Sequence, residues 1–354
     1  MARRKDRSSG PLEPRSQAIL RAVIEEYVIS AAPVGSQVLV ERYDLGVSSA
    51  TVRNVMAELE ADGYLTHPHT SAGRVPTDAG YRLYVESLAP SFNLAPVEQL
   101  MIRHQFGQVE FASEQWFRLA ATTLAGATHA AGLATPAKPR SCRVRRIDLV
   151  ATSSRTASLV VVLAEGSVKQ ELLPLDEPVE QRHLDEIAQL LNERLSDCSA
   201  RQLTRRIDEL RAQPNVPRLV IRAVERIERL MREFDAAAVE DVFSDGLLYV
   251  MEAPEFSRSQ TLRRVFGALQ NREYLGTLVR RIASLSDVQV LIGAENESHE
   301  MHNVSLVLAA YGQPGRAMGV VGVLGPTRMA YPQAISSVRY VSGLMNELVE
   351  QLYR

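Results

Sequence analysis

The chain has 354 residues, with 40 Lys and Arg against 42 Asp and Glu, a formal net charge of −2 and 45% hydrophobic residues. That length predicts two or three domains, each large enough to bury a core of its own. The composition is that of an ordinary folded protein and excludes a disordered chain, a fibrous protein and a polybasic nucleic-acid coat, while a near-neutral total can still hide one DNA-binding face.

Residues 1–13 read as a flexible basic arm: residues 1–21 carry Arg3, Arg4, Lys5, Arg7, Arg15 and Arg21 against Asp6 and Glu13. A first helix follows, with Leu20, Val23, Ile24, Tyr27 and Val28 at the spacing of one apolar stripe. Pro33 stops it, and Ser36 is placed to cap a short second helix carrying Val38, Leu39 and Tyr43. Asp44, Leu45, Gly46 and Val47 make a tight turn, after which Ser48 or Ser49 caps a third helix that Gly63 ends. Two short helices joined by a glycine-containing turn are the helix-turn-helix arrangement.

The third helix is two-sided. Val52, Val55, Met56 and Leu59 fall on one face, and Ala50, Arg53, Asn54 and Ala57 on the other. Small residues with one arginine and one asparagine suit close approach to base edges, because arginine forks onto guanine and asparagine onto adenine. Ser49 and Thr51 at the helix start suit phosphate contacts, and Ser36 joins them from the second helix. A hairpin is predicted next, with Tyr64 to His67 and Arg74 to Pro76 flanking a tip that holds His69, Thr70 and Ser71. Thr77 then caps a helix through Tyr81 and Tyr84. This is the wing of a winged helix, with its tip and Arg74 directed at DNA. The DNA-binding domain is predicted over residues 14–88.

Prolines at 90 and 96 mark a junction. Beyond it, 97–131 is helical with a break near Gly107, and 144–150, 157–164 and 167–173 are strands, the last two joined by a hairpin at Glu165-Gly166. Helices return over about 180–234, and the face from Val220 to Met231 is a candidate dimer surface, with an internal helical layer as the alternative. Strands are then predicted at 247–251, 288–292, 304–309 and 318–324, with helices at 262–282 and 332–352. The fold class is α+β.

The segments PVGSQVL, LGVSSATVRNVMAELEADGYL, HTSAGRVPTDAGYRLYV, GLLYVMEAPEF, VLIGAEN and GVVGVLGPTRMAY resemble the signatures of the HrcA family of heat-inducible transcription repressors. The resemblance runs from about residue 14 to the C-terminus, with a departure in the loop before GLLYVMEAPEF, which lacks the family's usual asparagine. It implies a winged helix, a GAF-like domain over 89–354 and a dimerising subdomain inserted roughly within 140–245. It also implies a homodimer bound to double-stranded DNA at an inverted-repeat operator of chaperone genes, with the GroEL chaperonin as partner. The matched positions place DNA contacts at Ser49, Thr51, Arg53, Asn54 and the wing.

Other chemistry finds little purchase. No phosphate-binding loop, nucleophile elbow, zinc-protease helix or paired CxxC motif occurs, so no catalytic residue, cofactor or metal is assigned. His299 and His302 beside Glu295, Glu297 and Glu300 read as a solvated loop rather than a metal site, and Gly319, Gly322 and Gly325 read as structural. The start of the chain lacks the apolar run of a signal peptide and no stretch is long enough to span a membrane. With only Cys142 and Cys198, reduced thiols and a cytoplasmic location are expected. The alternative function is a metabolite-gated regulator sensing a small molecule through its GAF-like domain.

Overall fold

Burial of apolar stripes decides where each segment of this chain goes. The computed structural model describes residues 12–68, 73–88, 93–108, 113–137, 141–164, 166–213, 216–236, 242–256, 267, 277–278, 281–282, 287–313 and 317–352. The chain forms two compact units: Met1–Pro136, Val242–Tyr311 and Val320–Arg354 make one, and Ala137–Asp241 with Gly312–Gly319 make the other.

The first unit begins with α1 (Pro14–Ser30), α2 (Ser36–Arg42) and α3 (Ser49–Ala61). Pro14 sits at the first helical position of α1, where its missing N–H costs nothing, and Ala31 ends the helix in a left-handed conformation at φ +51°. Ile19, Leu20, Val23 and Ile24 of α1 bury their side chains with Leu39 of α2 and Val52, Met56 and Leu59 of α3. Glu26 of α1 is buried as well, and its carboxylate accepts from Arg42 of α2 at 2.7 Å, so its charge is paired. Strands β1 (Leu65–Thr66) and β2 (Val75–Pro76) pair antiparallel, and α4 (Asp78–Leu88) follows.

The rest of this unit is built on a five-stranded sheet of order β7-β3-β10-β9-β8, from β3 (Ala131–Ala134), β7 (Phe243–Asp245), β8 (Gln289–Ile292), β9 (Val304–Gln313) and β10 (Ala317–Pro326). Helices α5 (Pro96–Gly107) and α6 (Ser113–Thr128) precede it; α6 packs on β3 and β7. The closing helix α11 (Tyr331–Leu352) packs against α4, α5 and α6. β9 is buried from Val304 through Ala309, as a strand covered on both faces must be. Between β7 and β8, residues Leu247–Glu252 form a helix, α10, where the sequence predicts a strand. A five-residue apolar run fits either state, and Gly246 at φ +74° turns the chain out of β7 into a helical turn. Most of the predicted 262–282 helix lies outside the described residues. So does Glu165 of the predicted hairpin.

The second unit is a three-stranded antiparallel sheet, β4 (Val144–Ser153), β5 (Thr156–Leu163) and β6 (Val168–Pro174), with helices α7 (Gln181–Leu195), α8 (Ala200–Arg211) and α9 (Arg218–Ala236). Its core joins Ile147, Leu149, Leu159 and Leu163 to Leu184, Leu191 and Leu203. Val220, Val224, Ile227 and Met231 are each 1% exposed or less and belong to that same core. The face proposed from sequence as a dimer surface is therefore the internal layer. The uncovered apolar residues of this unit lie instead on the sheet: Val150, Val168 and Leu172.

Candidate nucleic-acid interface

The turn between α2 and α3 carries Gly46 at φ +62°, and Ser48 then caps α3 by accepting from the Thr51 amide at 3.2 Å. Of the two serines that sequence left open as the cap, Ser48 holds it. Ser49 is the first helical residue, and its Oγ lies 3.0 Å from Oγ of Ser36. Ser36 is nearly buried and does not cap α2; Gly35 occupies that position, with no side chain to offer. The Ser36–Ser49 contact joins the starts of the two helices. Val52, Val55, Met56 and Leu59 face inward, as their spacing predicts. Ala50, Arg53, Asn54 and Ala57 are exposed, and Thr51 is half-buried beside them. Among the described residues, the Arg53 and Asn54 side chains make no ion pair or hydrogen bond.

The hairpin root is built differently. Gly73 lies so close to the chain before α2 that a Cβ there would sit 2.5 Å from the carbonyl carbon and oxygen of Val34. Arg74, next in sequence, exchanges backbone hydrogen bonds with Val34 at 2.8 and 2.9 Å. Its guanidinium reaches back to Glu60 near the end of α3, Nε to Oε2 at 2.7 Å, and the same carboxylate takes the Nδ1 contact of His67. Desolvation alone would raise the Glu60 carboxyl; the His67 contact and the Arg74 charge outweigh it and hold the group below the usual carboxylate range. The sequence expectation sends Arg74 to DNA. In the structure its backbone is paired to Val34 and its charge to Glu60. His69, Thr70 and Ser71, the expected tip contacts, lie outside the described residues.

Thr77 completes the local frame. Its Oγ1 donates to the Gly63 carbonyl at 2.7 Å and accepts from the Gly80 amide at 3.1 Å, so one hydroxyl both caps α4 and ties the hairpin's exit to the end of α3. Sequence reasoning missed Glu60 as the partner of Arg74 and the contact between Ser36 and Ser49. Glu60 stands i+7 from Arg53 on the sequence and carries no motif of its own, so only the fold reveals it. Elsewhere, the ring centroids of His299 and His302 lie 4.4 Å apart with the planes tilted by 53°, and among the described residues no group of three or more His, Cys, Asp or Glu could hold a metal ion. Gly319, Gly322 and Gly325 all lie in β10. No helix among the described residues is long and apolar enough to cross a membrane.

Comparison with known proteins gives this geometry a setting. A family model described as the HrcA protein C-terminal domain matches residues 114–335. The heat-inducible transcription repressor HrcA of Roseiflexus sp. (strain RS-1) is 44% identical over 344 residues, covering 97% of this chain and 96% of the relative. Its counterpart in Herpetosiphon aurantiacus is 42% identical over 343 residues, with 97% and 96% covered. That of Dehalococcoides mccartyi (strain ATCC BAA-2266 / KCTC 15142 / 195) is 35% identical over 342 residues, with 97% of each chain covered. Among solved structures, a crystal structure of a hypothetical protein at 2.2 Å resolution overlays with a TM-score of 0.62 at 24% identity, covering 96% of this chain and 99% of that one, a likeness of fold. The chain belongs to the HrcA family of heat-inducible transcription repressors, which regulate transcription without catalysis.

Proposed function

We propose that the protein represses heat-shock chaperone operons by binding double-stranded DNA at an inverted-repeat operator as a homodimer. Residues 14–88 act as a winged helix, and α3 enters the major groove. The observation that carries this reading is the outer face of α3: Ala50, Arg53, Asn54 and Ala57 are exposed, and the two polar side chains have no partner among the described residues. A surface arginine usually finds a carboxylate when one is near. Arg53 is left bare on a helix whose opposite face is fully buried, with side chains small enough around it to let base edges approach. Ser49, Thr51 and the N-terminus of α3 face the phosphate backbone, with His69, Thr70 and Ser71 at the wing tip.

Residues 89–354 form a GAF-like domain with the dimerising subdomain inserted in it. The uncovered Val150, Val168 and Leu172 on the outer face of its sheet support a role in self-association, since a lone soluble unit gains nothing by exposing them. The GroEL chaperonin supports the active state of the repressor. A metabolite-gated regulator is the second reading. In its favour stands a groove of about 430 Å³ between α5 and α6, with Leu94, Met101, Ile102 and Leu119 in its lining.

The test is binding of the purified chain to a labelled inverted repeat at fixed salt, beside a scrambled duplex and a single half-site, with a parallel series containing GroEL. Preference for the repeat by about 10³-fold or more is expected. Equal weak binding to all three duplexes, with or without GroEL, would overturn the reading.

A further inference from the structure

The VLIGAEN and GPTRMAY segments hold no DNA-facing residue, yet the structure brings both against the N-terminal helices. Arg82 of α4 donates from Nε to Oε1 of Glu295 at 2.7 Å and from Nη2 to the Val290 carbonyl at 2.6 Å, and the same Nη2 also contacts Oε2 of Glu295. Glu295 is itself fixed, because Oε2 accepts from the Ile292 amide at 2.9 Å. One turn earlier on α4, Asp78 Oδ2 accepts from the Ala294 amide at 2.9 Å. The fit is tight: Gly293 sits at φ +49°, and a Cβ there would lie 2.3 Å from Oδ2 of Asp78. A second anchor comes from Arg328, which donates to the Val28 carbonyl in the last turn of α1 at 3.2 Å and to Glu255 at 2.5 Å. Between the two anchors the rings of Tyr81 and Tyr331 meet at 5.6 Å.

An apolar contact alone would let α4 slide or rotate by small steps. Charged hydrogen bonds to a fixed backbone turn do not, because a change of angle breaks the bidentate fork and leaves half-buried charges unpaired. Asp78 and Arg82 are four residues apart on one face of α4, and both grip the single turn Gly293–Glu295. α4 leaves the hairpin directly, with only Thr77 between β2 and its first turn. Whatever fixes α4 also fixes the hairpin and α3.

We infer that Asp78 and Arg82 are positioning residues for DNA recognition: they set the angle at which the N-terminal module is presented, so that two modules of a dimer match the spacing of an inverted repeat. The inference rests on the proposed reading of the module as an operator-binding winged helix. A single half-site demands no set angle between modules, whereas a two-fold operator does. Removing the grip therefore selectively weakens the full repeat.

The experiment titrates the full-length wild type and the variants Arg82→Met, Asp78→Ala and Asp78→Asn on the inverted repeat and on a half-site duplex at one salt concentration. Arg82→Met and Asp78→Ala are expected to lose repeat affinity by roughly tenfold or more, within the range of coupling between two sites, and to bind the half-site as the wild type does. Asp78→Asn keeps an oxygen that accepts from the Ala294 amide and is expected to stay near wild type. Equal losses on both duplexes, a loss in Asp78→Asn matching that in Asp78→Ala, or no loss in either Arg82→Met or Asp78→Ala would overturn the inference. A wild type without preference for the repeat would instead strike the proposed function, and it is read before any variant is considered.

Discussion

Arg53 and Arg74 are two arginines of one small module in opposite states. Arg53 stands on the outer face of α3 with no partner among the described residues. Arg74 is bound by its backbone to Val34 and by its guanidinium to Glu60. The first is available to a ligand; the second holds the hairpin root to the end of α3. Local sequence treats both as basic residues in a DNA-binding pattern, and only the fold separates the bare side chain from the paired one. A cation already paired in the folded state gains less from a phosphate than a bare one, because it must first give up its carboxylate.

The contrast can be broken at several points. Leu39 is fully buried in the module that carries both arginines, and Leu39→Ala is expected to lower its stability by about 2–5 kcal/mol, abolishing the contrast with the fold. Urea unfolding read alongside DNA binding checks this; a shift below the lower bound would place the shared core elsewhere. Arg53→Ala comes next. It should cost about 1–3 kcal/mol of operator binding and relax base preference at one position, with stability unchanged. Unaltered affinity and preference would remove Arg53 from the reading face. Ser48→Ala should cost about 1 kcal/mol of stability through the lost cap of α3, measurable as a lowered unfolding midpoint.

The smallest effects belong to the brace. Arg74→Ala should leave the salt dependence of DNA binding unaltered, whereas Glu60→Gln, by releasing Arg74, should steepen it by up to about one phosphate's worth of counterion release. A shallower slope in Arg74→Ala would show a direct phosphate contact. The sign with pH follows from the lowered Glu60 carboxyl. A group whose pKa falls on folding stabilises above its unfolded value, near 4.3 for glutamate, and that contribution disappears as pH drops through the lower folded value. Glu60→Gln should flatten the module's acid-side stability profile in that window.

Sequence made α3 legible because its signal is local. Val52, Val55, Met56 and Leu59 repeat at helical spacing within eight residues, and the opposite face is defined by the same count. The β4–β5–β6 run was equally readable from its β-branched stretches. Other features lacked a local signal. Leu247–Glu252 is too short and uniformly apolar to choose between states, and the context after β7 made it a helix. β3 is Ala-Gly-Leu-Ala, without strand-forming residues; it is a strand because β7 and β10 flank it on both edges. The grip of Arg82 on Glu295 joins positions 213 apart, and the brace of Arg74 on Glu60 depends on how a hairpin folds back. Neither leaves a periodicity to detect.

The pairing of β3 with β7 has a topological consequence. Ala134 stands opposite Phe243, so the chain leaves the first unit and returns to it at neighbouring points of one antiparallel ladder. A paired ladder of this kind needs only a two-residue turn to close it. Everything between those strands is thus spliced in at a hairpin position, where a long insertion strains nothing in its host. Residues 137–241 could be exchanged for a segment of quite different size, or trimmed to a turn, with β3 and β7 keeping their register. The architecture separates the part of the protein that can vary in length from the part that must keep its angles.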